Sequence, residues 1–179
     1  TVINRDGFLE HVKGLTFGDD PRQGYFQGGH FYHPDLRFQV TFPQGWHTQN
    51  AADAVMAGSP NQDAIIQLSL AGKTSPRDAA TQFLSRQGIT AGNGSTASIN
   101  GLPAATSYFK AQTDQGEIEG LATFISYGGI TYGLLSYTPA GKLSTYDNAF
   151  RQTAASFSEL RDQAALSVQP AKVDLVKLP

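Results

Sequence analysis

The sequence predicts an α+β domain in which one twisted antiparallel β-sheet is flanked by two main helices, an α/β/α sandwich. Three observations support this fold class. Several segments alternate apolar and polar side chains with a period of two, which is typical of half-buried strands. Tight turns join these segments, so neighbouring strands are expected to run antiparallel. Two other segments have helical spacing and begin with residues that cap helices.

Composition limits the classes of function. The chain has 179 residues, 13 Lys and Arg, 15 Asp and Glu, and no Cys. This length is enough for one domain with its own core, and the lack of Cys excludes disulfides, zinc–thiolate sites and a cysteine nucleophile. Near-neutral charge without a basic cluster argues against nucleic acid as a partner. No apolar run is long enough to span a membrane, and because the chain starts at Thr1 rather than Met we expect a piece of a longer, exported protein.

Residues 1–28 are predicted to be the end of a preceding helix followed by a linker. Apolar residues between Phe8 and Leu15 have helical spacing, and glycines and a proline then interrupt the chain up to Gly29. A short helix whose apolar side has little to pack against often belongs to a neighbouring domain. The α+β domain is therefore predicted to cover residues 29–179.

The period of two begins at Phe31 and resumes after the turn at Pro34. Leu36, Phe38, Val40 and Phe42 alternate with polar residues, so one face of this strand is buried. A turn leads into Trp46, and two further strands are predicted in a meander, over residues 54–57 and 64–70.

The first helix has a clear start signal. Ser75 is the predicted N-cap, Pro76 takes the first helical position, and Asp78 is an acid in the first turn. The helix is predicted to run to Gln87 and to end at Gly88.

A second set of strands follows. Asn100-Gly101 is the strongest two-residue hairpin signal in the chain, and Gly92-Asn93-Gly94 is predicted to be a loop. The predicted strands are residues 97–99, 102–112, 117–127 and 130–137, which brings the total to roughly seven or eight.

A second amphipathic helix is predicted from the segment that begins with Ser144. The run Ser144 to Asp147 has the pattern of a capping box, and apolar residues from Tyr146 to Phe157 then follow helical spacing. Residues 163–166 are predicted to be helical, and Val173, Leu175 and Leu178 to form a terminal strand.

The sequence assigns no catalytic, cofactor-binding or metal-ligating residue. The four histidines, His11, His30, His33 and His47, do not form the two-histidine helical motif of metalloproteases. A shared metal at His30, His33 and Asp35 would need the turn at Pro34 to bring them together. No serine lies in a Gly-x-Ser-x-Gly elbow, and the glycine-rich runs do not precede helices, so they are not phosphate loops. A hydrolase with an unrecognised site would need a pocket holding His30 or His47 beside a serine and an acid.

Tyr127, Tyr132 and Tyr137 lie on adjoining predicted strands. They are either an exposed platform for binding or part of the core and of cross-strand packing. We expect core packing.

Several runs carry a family resemblance. Residues 14–24 (GLTFGDDPRQG), 31–38 (FYHPDLRF) and 42–46 (FPQGW) resemble the segment after the catalytic domain in bacterial zinc metallopeptidases of the HtpX and BepA type. Residues 156–160 (SFSEL) and 169–176 (QPAKVDLV) are similar to the end of the same region. The Phe-Pro-x-Gly-Trp step also resembles domains of the PsbP and Mog type, whose fold is an antiparallel sheet sandwiched by helices.

The resemblance implies a non-catalytic, C-terminal accessory domain of a zinc metallopeptidase in the periplasm of a Gram-negative bacterium. Zinc is then expected in the absent catalytic domain, since no residue here matches the His-Glu-x-x-His motif. The implied partners are that upstream domain and protein substrates or envelope proteins. The alternative is a stand-alone PsbP-like module that binds a protein or a small ligand and is unrelated to proteolysis.

Overall fold

The computed structural model describes residues 20–51 and 53–169, and within these residues eleven strands form two antiparallel sheets. The prediction of a single sheet is therefore wrong, because there are two. The strands are β1 (Tyr25–Gln27), β2 (His30–His33), β3 (Phe38–Thr41), β4 (His47–Asn50), β5 (Val55–Gly58), β6 (Ile65–Leu70), β7 (Ile89–Ile99), β8 (Leu102–Thr113), β9 (Gly116–Tyr127), β10 (Ile130–Pro139) and β11 (Ser158–Glu159). The small sheet has the order β1-β2-β3-β11, and the large sheet has the order β4-β5-β6-β10-β9-β8-β7.

Three α-helices accompany the sheets in the described residues: α1 (Pro76–Leu84), α2 (Leu143–Ala155) and the short α3 (Gln163–Leu166). Side chains of α1 pack with Phe109 and Phe124 on one face of the large sheet. Side chains of α2 pack with Leu121 and Ile125 on the other face, together with the small sheet. The domain is therefore a sheet-rich α+β fold with its two main helices on opposite faces. No helix in this part of the chain is both long and apolar enough to cross a membrane.

The core between the two sheets is centred on Phe38 of β3. Its ring centroid lies 4.8 Å from that of Tyr132 and 5.1 Å from that of Phe157, and all three side chains are buried. The rings of Phe31 and His33 lie 6.0 and 5.4 Å from it. Because aromatic rings remove large apolar areas from water, this cluster attaches the small sheet to the large one.

The start of α1 is confirmed, but its predicted end is wrong. Ser75 Oγ accepts a hydrogen bond from the backbone N–H of Asp78 at 3.1 Å, and Pro76 is the first helical residue. The helix ends at Leu84, three residues before the predicted Gln87. Since β7 begins at Ile89, residues 85–88 are needed for the turn, which Gly88 makes with a φ of +87°.

The predicted loop at Gly92-Asn93-Gly94 is instead an irregular stretch inside β7. The register of β7 against β8 shifts between Ala91 and Gly94, which is a β-bulge. A Cβ at Gly94 would lie 3.0 Å from the carbonyl oxygen of Thr106. Glycine is therefore used here for close approach of two strands rather than for a loop.

The predicted N-cap of the second helix at Ser144 is also wrong. The helix begins at Leu143, and no side chain of the preceding residue caps it. Glu119 of β9, the strand next to β10, does so instead, because its Oε2 accepts hydrogen bonds from Gly141 N at 2.8 Å and Leu143 N at 3.4 Å. A carboxylate at this end also complements the helix dipole.

Part of the predicted linker belongs to the small sheet. Residues 25–27 form β1 and pair with β2, so the predicted boundary at residue 28 falls at the turn of a β-hairpin. Strands β4 and β11 were likewise not predicted, since they are short and are held by tertiary pairing. The predicted helix before Leu15 and the predicted terminal strand at residues 173–178 lie outside the described residues.

The Asn100-Gly101 hairpin is confirmed, and its asparagine has a second role. Both residues have positive φ, 50° and 83°, as a type I′ turn requires. The side-chain Nδ2 of Asn100 donates to the carbonyl oxygens of Ala155 at 2.9 Å and Phe157 at 2.8 Å. The turn thus binds the C-terminal end of α2.

We expect Asn100→Asp to lower the free energy of unfolding by about 2 kcal/mol, because a carboxylate would face two carbonyl oxygens at the negative end of a helix. Asn100→Gly keeps the turn and loses only the two hydrogen bonds, so we expect a loss of about 0.5–1 kcal/mol. Urea unfolding of the two variants measures the difference. If both variants are as stable as the unmodified chain, the contact with α2 contributes nothing.

Candidate binding groove

A groove of about 770 Å³ lies between α2 and the small sheet, and we call it the α2 groove. One wall is the exposed side of α2. The opposite wall is the β1–β2 turn together with the chain that leaves β3. The residues that line it are Gly28, Gly29, His30, Thr41, Phe42, Pro43, Gln44, Thr145, Asn148, Ala149, Gln152, Thr153 and Ser156.

The lining of the α2 groove is uncharged, and its polar side chains are set in a surface that is mostly apolar. Its exposed side chains include the amides of Gln44, Asn148 and Gln152, while Phe42 and Thr153 are buried beneath. None of the lining residues is Asp, Glu, Lys or Arg. Each amide offers both donors and acceptors. The groove is therefore suited to a neutral partner that forms hydrogen bonds, and unsuited to a phosphate or a strongly charged ligand.

The bottom of the groove is held by a set of short hydrogen bonds. His30 Nδ1 lies 2.9 Å from Thr41 Oγ1. Thr41 N donates to Ser156 Oγ at 2.8 Å, and Ser156 Oγ donates to Thr153 O at 2.6 Å. These bonds connect β3 directly to the end of α2, so the two walls are attached at one end.

A polar cluster around Asp63 holds the N-terminal turn of α2. Its carboxylate accepts hydrogen bonds from Ser59 Oγ at 2.8 Å, from Lys142 Nζ at 3.2 Å and from the hydroxyl of Tyr146. The hydrogen bond from Tyr146 is the main cause that lowers the pKa of Asp63, with further contributions from Ser59 and Lys142. The ring of Trp46 meets that of Tyr146 edge-on at 5.8 Å. The carboxylate is used within the fold, so we assign this cluster a structural role.

The middle of α2 is fixed to the large sheet. The hydroxyl of Tyr108 donates to Asp147 Oδ1 at 2.6 Å, and Arg151 Nε donates to Asp147 Oδ2 at 3.0 Å. With Glu119 at one end and Asn100 at the other, α2 is held at three points along its length. The side chains that it presents to the groove are therefore carried by a rigid element.

The three histidines in the described residues, His30, His33 and His47, do not converge on a metal, and His11 lies outside these residues. His33 is buried, whereas His30 and His47 are exposed. No group of three His, Cys, Asp or Glu side chains within residues 20–51 and 53–169 is placed to hold a metal ion. His30 lines the groove beside Thr41 and Ser156, but no acid does, so the hydrolase hypothesis lacks its carboxylate.

The expectation that the tyrosines pack in the core is confirmed for two of the three. Tyr132 and Tyr137 are buried on opposite sides of β10, in the two separate cores. Tyr127 is half-buried, and its hydroxyl donates to Arg37 O at 2.9 Å. The three rings therefore do not form an exposed platform.

Two of the runs that carry the family resemblance meet in space. Arg22 forms an ion pair with Asp35 at 2.8 Å, and Gln23 Nε2 donates to the same carboxylate at 3.1 Å. Arg22 also donates to the carbonyl oxygens of Leu166, the last residue of α3, and of Val168. These residues hold the C-terminal segment against the small sheet, so their role is structural.

Sequence reasoning missed the groove. Its lining residues come from a turn, a strand end and one helix face, and uncharged Thr, Asn and Gln carry no motif. The signal that was available is the pair of amides at positions 148 and 152, which share one exposed helical face.

No family model matches the chain, and none of the curated proteins matches its sequence. The predicted metallopeptidase parent thus gains no support and stays a prediction. Solved structures do match. The cyanobacterial PsbP (CyanoP) of Synechocystis is 18% identical with a TM-score of 0.54, over 73% of this chain and 91% of that chain. The Ran-binding protein Mog1p of Saccharomyces cerevisiae is 9% identical with a TM-score of 0.54, over 79% of this chain and 99% of that chain.

LpqN, a protein involved in cell envelope biogenesis of Mycobacterium tuberculosis, is 13% identical with a TM-score of 0.51 over 69% of this chain and 83% of that chain. Identities this low show the fold alone. The chain therefore has a PsbP- and Mog-like fold, as the Phe-Pro-x-Gly-Trp resemblance implied.

Proposed function

We propose that this chain is a non-catalytic binding module whose α2 groove holds an uncharged, hydrogen-bonding segment of a partner protein. The observation that carries the proposal is the lining of the groove, which offers amide, hydroxyl and imidazole groups without a single charged side chain. A protein backbone has the matching chemistry, because each peptide unit presents one donor and one acceptor.

The anchoring of α2 supports a binding role. Groups held in place before binding lose little conformational freedom when a ligand arrives, which favours affinity. The fold supports it too, since Mog1p, which has the same fold, is a Ran-binding protein. This likeness extends to the fold alone, so the partner of the present chain is identified only by the chemistry of its groove.

The accessory domain of an exported zinc metallopeptidase remains the second candidate. The observation that favours it is the family-like run of residues 14–24 together with residues 31–38. A binding module is compatible with either protein context. We also propose that the chain is exported, and the involvement of LpqN in cell envelope biogenesis supports this proposal.

A charge introduced into the groove is expected to weaken recognition strongly. Peptides are first selected from a random phage-displayed library on the purified chain, and their affinities are measured by calorimetry. We expect Asn148→Glu to weaken the selected peptides at least about tenfold, since the carboxylate would be desolvated against a neutral partner.

Ser144→Glu is the matched control, because Ser144 is exposed on the same helix but does not line the groove. It should bind the peptides as the unmodified chain does. If Asn148→Glu also leaves their affinity unchanged, or if the selected peptides are strongly charged, the groove is not the binding site.

A further inference from the structure

Among the described strands, the large sheet has one long unpaired edge. Its strand order ends at β7, which pairs with β8 on one side and with no other described strand on the other side. All residues from Thr90 to Ser98 are exposed. This edge is separate from the α2 groove, because no residue of β7 lines that groove.

The turn geometry shows which backbone groups point outward. In a hairpin with a two-residue type I′ turn, Ile99 and Leu102 form a hydrogen-bonded pair, and bonded and non-bonded pairs then alternate. The residues of β7 at non-bonded positions are Ser98, Thr96 and Gly94, opposite Pro103, Ala105 and Ser107. Pro103, which has no N–H, fits such a position. The N–H and C=O groups of residues 94, 96 and 98 therefore face the free edge.

Within the part of the chain that the structure describes, this edge lacks the usual protection against pairing. The other outer strands are short, three residues in β1, two in β11 and four in β4, whereas β7 has eleven. Ile89–Ile99 contains no charged residue and no proline. Natural edge strands are commonly shielded by charges, prolines or shortness. Here the bulge between Ala91 and Gly94 is the only such device, and the stretch from residue 94 to 99 is regular.

A groove of about 480 Å³ runs beside the same edge, between α1 and the β7–β8 hairpin. On the sheet side it is lined by small residues, among them Gly94, Ala105 and Ser107, and on the helix side by Ala80 and Leu84. Small side chains leave space for larger ones from a partner. Arg77 is the one charged residue in this lining.

We propose that β7 binds an uncharged, extended segment of a partner protein as an additional strand, with every second side chain of that strand in the groove under α1. A second copy of this chain fits less well. Because α1 packs mainly over β8 and β9, pairing of β7 with its own copy would hold the two α1 helices roughly four strand spacings apart, about 19 Å. Helices in contact are about 8–10 Å apart, so the two α1 helices of such a dimer would not meet. Between its two isoleucines the β7 strand of a second copy contains only Gly, Ala, Ser, Thr and Asn, so it would fill the groove poorly.

The test uses a capped eight-residue peptide of alternating threonine and valine, N-methylated along one edge so that only its other edge can pair. The peptide is titrated into the ¹⁵N-labelled chain, and amide hydrogen exchange is followed by NMR. We expect slower exchange at the amides of Gly94, Thr96 and Ser98. Thr96→Pro, which removes one outward N–H, should reduce the affinity roughly tenfold, the loss of about one backbone hydrogen bond.

Thr96→Ala is the matched control, because it removes the same side chain and keeps the N–H. It should bind nearly as the unmodified chain does. Thermal unfolding and the NMR spectrum show whether Thr96→Pro is folded, and if it is not, Thr96→Lys and Ser98→Lys replace it as edge variants. Protection at residues 94, 96 and 98 without peptide, rising with protein concentration, would overturn the proposal in favour of a second copy. Protection at residues of the α2 groove alone, or at no residue, would overturn it outright.

Discussion

Gly120→Ala is expected to lower the free energy of unfolding by about 3 kcal/mol or more, which is the upper range for overpacking a core. Gly120 lies in the middle of β9, directly opposite Phe109 of β8 and Tyr137 of β10. A Cβ there would fall well inside contact distance of Ser136 O and 3.0 Å from Tyr137 Cα. Those atoms belong to backbone rather than to a flexible side chain, so β10 would have to move away from β9.

The loss should be specific to this position. Gly58 of β5 is also a strand glycine, but a Cβ added to it would have Ala64 O as its nearest heavy atom, at 4.0 Å, an ordinary contact. We expect Gly58→Ala to change stability by no more than about 0.5 kcal/mol. Urea unfolding followed by circular dichroism compares the two. A Gly120→Ala protein as stable as Gly58→Ala would contradict the geometry of the β9–β10 pair.

Acid is expected to destabilise the domain through His33. Burial lowers the pKa of His33 to about 4 from its usual 6.5, although nearby Asp35 acts in the opposite direction. Between these two pH values the unfolded chain binds a proton that the folded chain does not, so stability is complete above pH 6.5 and falls as the pH falls toward 4. The expected loss is about 2–3 kcal/mol between roughly pH 7.5 and pH 4.5. Protonation also removes the acceptor Nδ1, which takes a hydrogen bond from Leu36 N at 3.0 Å.

Urea unfolding at several pH values in this range measures the slope. Asp63, whose pKa is lowered from 3.8, loses its contribution only at more acidic pH, so it does not interfere. His33→Asn keeps an acceptor near Leu36 but cannot titrate, and its stability should change little over the range. His47→Asn, at an exposed histidine, should keep the slope of the unmodified chain. A His33→Asn protein with the original slope would show that another group is responsible.

Much of the fold was predictable because its signals are local. Ser75 and Pro76 start α1 through their own backbone and side-chain geometry, and Asn100-Gly101 forms its turn through positive φ values that these residues tolerate. The strands β8, β9 and β10 could be predicted from the sequence, because a tight turn separates each of them from the next. These features need no information from distant parts of the chain.

The remaining features depend on residues far apart in sequence. The second helix begins at Leu143 because Glu119 caps it, and no pattern around Ser144 reveals a carboxylate on another strand. Strand β11 has two residues and exists only because β3 lies beside it. The glycines around β1 predict a linker, yet the pairing of Tyr25–Gln27 with β2 makes this segment part of the small sheet.

The candidate binding surfaces also differ from the local features in this respect, because they depend on residues far apart in sequence. The order of residues was enough to predict an α+β domain, its first helix and its main hairpins, and to exclude cysteine chemistry. Long-range packing, in contrast, places α2 opposite the small sheet across an uncharged groove and leaves β7 as a long free edge. Turns and caps are set by neighbouring residues, whereas a groove or an edge is defined by which distant elements pack together and which do not.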